Sequence, residues 1–151
     1  MCDGVVVDIG AGFGDFSVLY GKRFSSARIY AFEPDNEYYQ LLSANKKINH
    51  STNVVLIHDA VSSLKEIFSR IGKRRIHFLK IDCEGCEFEL FQTATKTQLS
   101  SIDQIAMEYH EFEGKKVRTI VGQLERAGFS VYVYPQETVD DIGMLYAKRK
   151  N

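Results

Sequence analysis

Cysteine is scarce in this chain: three in 151 residues cannot build the disulfide framework of a small secreted domain, and the expectation is a cytoplasmic protein. Proline is scarcer still, at two, and no Pro-, Gly- or Ser-rich stretch marks a linker. With a length near the ~150 residues usual for one domain, residues 1–151 read as a single domain. Long apolar runs are lacking too. None approaches the ~20 residues that span a bilayer, and Met1–Gly4 has neither the charged nor the apolar region of a secretory signal, so no membrane is expected. Nor does charge of one sign dominate. The 19 Lys and Arg against 20 Asp and Glu leave −1, which argues against nucleic acid as a partner held by the field of the whole molecule. A hydrophobic share of 44% excludes intrinsic disorder.

What is present is an alternation of apolar runs with helix-period segments. Strands are predicted at 5–9, 28–33, 53–57, 76–81 and 104–109, the first a continuous apolar run of the kind buried on both faces. After the first strand, Phe16, Leu19, Tyr20 and Phe24 fall at helical spacing. Asp35 caps a second helix striped by Tyr38, Leu41, Leu42 and Ile48. Ser63 and Glu66 read as a capping box for a third helix that stops at Gly72. Further helices are predicted over 87–94 and from Val117 to a stop at Gly128. Two last strands, 130–134 and 142–148, have no helix between them and must form an antiparallel hairpin. Five βα units and a terminal hairpin describe an α/β fold: an open, doubly wound, mostly parallel sheet with helices on both faces.

In such sheets ligands bind outside the carboxyl ends of the strands. Those ends carry Asp8-Ile9-Gly10-Ala11-Gly12-Phe13-Gly14, Glu33-Pro34-Asp35, His58-Asp59-Ala60, Lys80-Ile81-Asp82-Cys83-Glu84-Gly85 and Glu108-Tyr109-His110. Gly10 and Gly12 permit a tight turn and close backbone approach by a ligand. Their spacing is G-x-G-x-G, not the G-x-G-x-x-G of dinucleotide folds, which disfavours a pyrophosphate and leaves a nucleotide-linked oxidoreductase a weak third reading. Glu33 stands where a carboxylate can accept both hydroxyls of a ribose. Asp59 and Ala60 are placed to meet an adenine edge.

The string from Asp8 to Gly14, then Glu33-Pro34-Asp35, then Lys80-Ile81-Asp82-Cys83-Glu84-Gly85-Cys86-Glu87, then Glu108 and His110 resembles the FkbM-type methyltransferases. The resemblance runs from about Val5 to Lys148 and implies a seven-stranded sheet in the order 3-2-1-4-5-7-6. It implies S-adenosylmethionine as cofactor and S-adenosylhomocysteine (SAH) as product. Asp8, Gly10 and Gly12 would hold the methionine end, Glu33 the ribose, and Asp59 and Ala60 the adenine, with Ala11 and Pro34 also at the cofactor. Asp82 and Glu84 would stand beside the transferable methyl, with Glu108 and His110 on the acceptor side. Members are similar in methylating a hydroxyl of a small molecule or sugar.

Two departures bear on closure of the site. The first strand begins within five residues of Met1, where members carry earlier helices, and the insertion after Ala60 is short. Self-association that shields the strand ends, or weak activity as a monomer, is therefore expected. A cofactor-binding domain without catalysis, serving as a sensor or as a subunit of a larger assembly, is the alternative function.

Among the acidic residues, Asp82, Glu84 and Glu108 suit a hard divalent cation, but their spacing requires none and no metal site is assigned. Cys83 and Cys86 form a C-x-x-C without the second pair a zinc site needs, and read as coincidence, with Cys2 at the far end of the sheet. His110 is the candidate base. His50, His58 and His77 have no recognisable partners and read as surface residues.

Overall fold

The computed structural model describes residues 4–137 and 141–150, so Cys2 lies outside the described residues. The elements are β1 (Val5–Ile9), α1 (Asp15–Arg23), β2 (Arg28–Phe32), α2 (Asn36–Ile48), β3 (Val54–Ile57), α3 (Leu64–Arg70) and β4 (Ile76–Ile81). They continue with α4 (Glu87–Gln92), α5 (Lys96–Ser100), β5 (Gln104–His110), α6 (Val117–Arg126), β6 (Phe129–Pro135) and β7 (Ile142–Arg149). The sheet order is β3-β2-β1-β4-β5-β7-β6. β1 lies parallel to β2 and β4, β2 to β3, and β4 to β5. β7 is antiparallel to both β5 and β6, so the terminal hairpin inserts its second strand next to β5. Both the hairpin and the order expected from the resemblance hold. Among the described residues no helix is long and apolar enough to cross a membrane.

Alternation along the strands divides the core. Val5, Val7 and Ile9 point into the larger cluster, which α3, α4, α5 and α6 cover with Leu64, Ile67, Leu90, Phe91, Leu99, Ile120 and Leu124. Val6, Ile29, Ala31 and Val54 face the smaller cluster, closed by Leu42 of α2. Asn53 caps the end of α1. Its side-chain amide donates to the carbonyls of Gly21, Phe24 and Ala27 at 3.0–3.2 Å, which a helix terminus otherwise leaves to water.

Four local expectations are corrected. The buried face of α1 is Ser17, Val18 and Gly21, not the predicted stripe. Leu19 is 70% exposed, while Phe16 and Tyr20 pack sideways on the ring of Phe78 at 5.9 and 6.3 Å. The small residues win because the helix lies close on the sheet: a Cβ at Gly21 would stand 3.0 Å from Val54. In α2 only Leu42 of the predicted stripe is buried, and Tyr38, Leu41 and Ile48 face solvent. Asp35 caps α2 as expected, accepting from the N–H groups of Glu37 and Tyr38. At α3 the capping box is only half made. Ser63 accepts from Glu66 N–H, but the Glu66 carboxylate turns to the N–H of Ser62 instead. The helix predicted over 87–94 is shorter, and the unforeseen α5 follows with its own capping box at Thr95 and Gln98.

Candidate functional site

The turn after β1 hangs on the end of β2, since Gly10 and Ala11 both donate their N–H to the carbonyl of Phe32 at 3.1 and 3.0 Å. Gly10 has φ +71° and its missing Cβ would stand 1.8 Å from the carbonyl oxygen of Asp82. Only glycine lets the first and fourth strand ends meet there. Gly12, at φ +54°, borders open space instead. Glu33 is buried, and its carboxylate spans the turn by accepting from Gly12 N–H at 2.7 Å and Asp35 N–H at 2.9 Å. Each oxygen keeps a further acceptor position.

Asp8 has no exposed surface. It accepts from the Ser17 hydroxyl at 2.6 Å and lies 3.2 Å from the Lys80 ammonium. Lys80 also reaches Asp82 at 3.3 Å and the Gly10 carbonyl at 3.4 Å. Burial alone would lower the Lys80 pKa, yet the Asp8 and Asp82 carboxylates hold it above its ordinary value. Asp8 thus braces the turn from behind, while Lys80 joins the ends of β1 and β4.

Of the residues expected at the cofactor, Gly10, Ala11, Gly12, Glu33, Pro34 and Asp82 line one cleft of about 470 Å³. Five carboxylates, those of Asp15, Glu33, Asp35, Asp82 and Glu84, share it with the ammonium of Lys80. Asp59 and Ala60 line a second cavity of about 500 Å³, where Asp59 is ion-paired with Arg70. Cys83 lines the first cavity and Cys86 the second. The two are joined as a disulfide, which corrects the reading of the C-x-x-C as coincidence. Their spacing alone left this open, because a bridge also requires the turn between β4 and α4 to bring the two side chains together.

On the acceptor side, β5 extends to His110, so Glu108 and His110 share a face of the strand as expected. Asp82 and Glu84 do not, because β4 ends at Ile81 and Glu84 adopts φ +49°. Burial, followed by the nearby Asp82 carboxyl and its charge, raises the pKa of Glu108. His110 meets Glu87 instead, with Nδ1 3.1 Å from Oε1 of a carboxylate that has no exposed surface. Glu87 was legible only as the last acid of the Lys80–Glu87 string. Lys80, its first residue, was likewise not expected to touch Asp8. Two other histidines also have partners: the Nδ1 of His77 accepts from Val5 N–H at 3.0 Å, and His58 stacks on Tyr39 at 4.3 Å. Among the described residues, no group of three or more His, Cys, Asp or Glu converges as a metal site would.

The family model of the methyltransferase FkbM domain matches residues 57–131. Over that stretch the chain matches the FkbM methyltransferase family. The matched stretch holds the Lys80–Glu87 string, Glu108 and His110, while the Asp8–Gly14 and Glu33-Pro34-Asp35 motifs that also carried the resemblance lie before it. No curated protein matches the chain. Among solved structures, the chain is similar to an rRNA methylase from Streptococcus thermophilus, at 15% identity and TM-score 0.73, over 98% of this chain and 87% of that one. It is similar to a precorrin-6y C5,15-methyltransferase from Geobacter metallireducens, at 17% identity and TM-score 0.68, over 97% and 80%. It is also similar to the N-terminal domain of EvdMO1 with SAH bound, at 13% identity and TM-score 0.65, over 98% and 75%. At these identities the likeness is one of fold.

Proposed function

We propose that the protein is an S-adenosylmethionine-dependent methyltransferase acting on a hydroxyl oxygen of a small molecule or sugar. The observation that carries this reading is the charge of the cleft at the ends of β1, β2 and β4: five carboxylates to one ammonium. Such a lining repels a pyrophosphate and suits a ligand bearing a sulfonium and an ammonium. The cleft volume lies within the range of small-molecule sites, and the open space beside Gly12 leaves backbone for a ligand to approach. Glu33 has acceptor positions left for a ribose, so the residues present fit the cofactor. The FkbM match and the SAH bound to EvdMO1 support the same assignment.

Bound S-adenosylmethionine supplies an electrophilic methyl carbon whose bond to sulfur breaks with the electron pair staying on sulfur. The chain's work is then to hold and orient. Glu33 would bind the ribose, the turn at Gly10–Gly12 would hold the methionine end, and Asp82 would stand on the side of the transferable methyl. His110 takes the hydroxyl proton as the acceptor oxygen bonds to carbon. Positioning supplies most of the acceleration for a displacement of this kind. The acceptor class rests on the family resemblance. The RNA methylases among proteins of like fold make RNA the rival acceptor to test.

SAH at 100 times its dissociation constant is expected to stabilise the protein by about 2.7 kcal/mol, raising Tm by roughly 5–11 °C, with no response to NAD. Glu33→Ala should weaken SAH binding by roughly 10–100-fold. Assays against monosaccharides, small alcohols and RNA fragments then separate the acceptors. A response to NAD in place of SAH would overturn the cofactor. Binding of SAH without turnover of any acceptor would favour the non-catalytic domain.

A further inference from the structure

The Glu87 carboxylate is the one group of the Lys80–Glu87 string to which the reading above gives no task. It has no exposed surface, and among the described residues Oε2 has no hydrogen-bond partner. Oε1 lies 3.1 Å from Nδ1 of His110. A buried carboxylate oxygen left without a donor costs stability, and an apolar side chain of similar size would avoid that cost. What the carboxylate does make is one bond, to the candidate base. Both ends of that bond are held. Glu87 opens α4 directly after Cys86, which is tied to Cys83 at the end of β4. His110 is the last residue of β5 and is paired with Ile142 of β7.

We infer that Glu87 is a positioning residue for His110: its carboxylate accepts Nδ1–H, fixes the ring in that tautomer, and leaves Nε2 as the basic nitrogen. This rests on the reading of His110 as the base. An ionised carboxylate can only accept, so the contact requires the proton on Nδ1. Neutral imidazole carries one proton, and Nε2 is then the nitrogen with a lone pair for the acceptor hydroxyl. When Nε2 takes that proton the ring becomes cationic, and the adjacent carboxylate offsets the charge. In the serine-protease triad, which follows the same logic, replacing the carboxylate by its amide costs about 10⁴-fold in kcat through the wrong tautomer. A less enclosed pair should lose less, and Glu87→Gln is expected to lower turnover by roughly 10²-fold or more.

The test begins with the unaltered protein. Long-range ¹H–¹⁵N correlation on the labelled full chain, with His110 identified by the loss of its signals in His110→Asn, reads the tautomer directly. Nδ1–H with a bare Nε2 is expected. A bare Nδ1 overturns the inference, because Glu87 would then have to be the donor, and this outcome needs no variant to fold. In Glu87→Gln, with an unchanged circular dichroism spectrum and SAH affinity, the ring should no longer be held in one tautomer. SAH release with the monosaccharide and alcohol panel should fall. Unaltered tautomer and turnover in that variant would also overturn the inference. Full turnover in His110→Asn would instead remove the base reading, while the tautomer measurement still decides the pairing by itself.

Discussion

At the scale of single residues, the site is organised by charged groups that bind protein before they bind ligand. Glu33 spans the first turn through two backbone N–H groups, and Lys80 spans the ends of β1 and β4 through Asp8 and Asp82. Such contacts hold a cleft open in its binding shape, which lowers the ordering cost when a ligand arrives. Glu108 shows the price in pH. Burial, then the nearby Asp82 carboxyl and its charge, raise its pKa, so the folded protein holds this proton more tightly than the unfolded chain does. That stabilisation is complete below the ordinary carboxyl pKa and is lost as pH rises through the raised value. Glu108→Gln, neutral at every pH, should therefore gain in Tm relative to the parent as pH rises from the ordinary carboxyl pKa through the raised one. Thermal melts of both proteins across that range check this, and a constant difference between them would contradict it.

Elements behave less as their own periodicity suggests than as the sheet allows. α2 offers Tyr38, Leu41, Leu42 and Ile48 at helical spacing, but its contact with the smaller cluster is made by Leu42 alone of these. Burial, not apolar character, sets the cost of truncation. Leu42→Ala should cost about 2–5 kcal/mol, while Leu41→Ala and Ile48→Ala should stay within about 0.5 kcal/mol. Urea denaturation of the three variants measures it, and equal losses at all three would mean that the stripe is covered in solution. α1 follows the same rule, since Ser17 and Gly21 lie against the sheet while Leu19 does not.

Over the whole molecule, the two faces of the sheet are unequally covered. α3 to α6 close the larger cluster, whereas α1 and α2 serve the smaller one at β1, β2 and β3. On the β6–β7 hairpin, Tyr132, Tyr134 and Tyr146 are exposed while Leu145 and Ala147 are buried on the opposite face. β1 and β4 lie inside the sheet, flanked on both sides, and β3 and β6 are its edges. Amide exchange should then be slowest in β1 and β4 and fastest among the strands in β3 and β6. Hydrogen exchange read by mass spectrometry or NMR tests this ranking. Equal protection of β6 and β1 would show an additional cover over the hairpin edge.

The sequence by itself determined the number of the seven strands and their bounds to within a residue, the terminal hairpin, the turn at Gly10–Gly12, the acid at Glu33 and the acidic strand ends. These are signals carried within a few residues: an apolar run, a cap, a glycine where φ is positive. Strand order came through the family resemblance, because local pattern specifies that a strand pairs but not with which neighbour. Only the tertiary structure decided which face of α1 and α2 is buried, and that Asp8 turns inward to Ser17 and Lys80. It alone set Glu108 near Asp82 and paired His110 with Glu87, residues 26 and 23 positions apart. Contacts of that kind depend on the register of β4 against β5 and on where α4 starts, and register is set by the packing of the whole sheet.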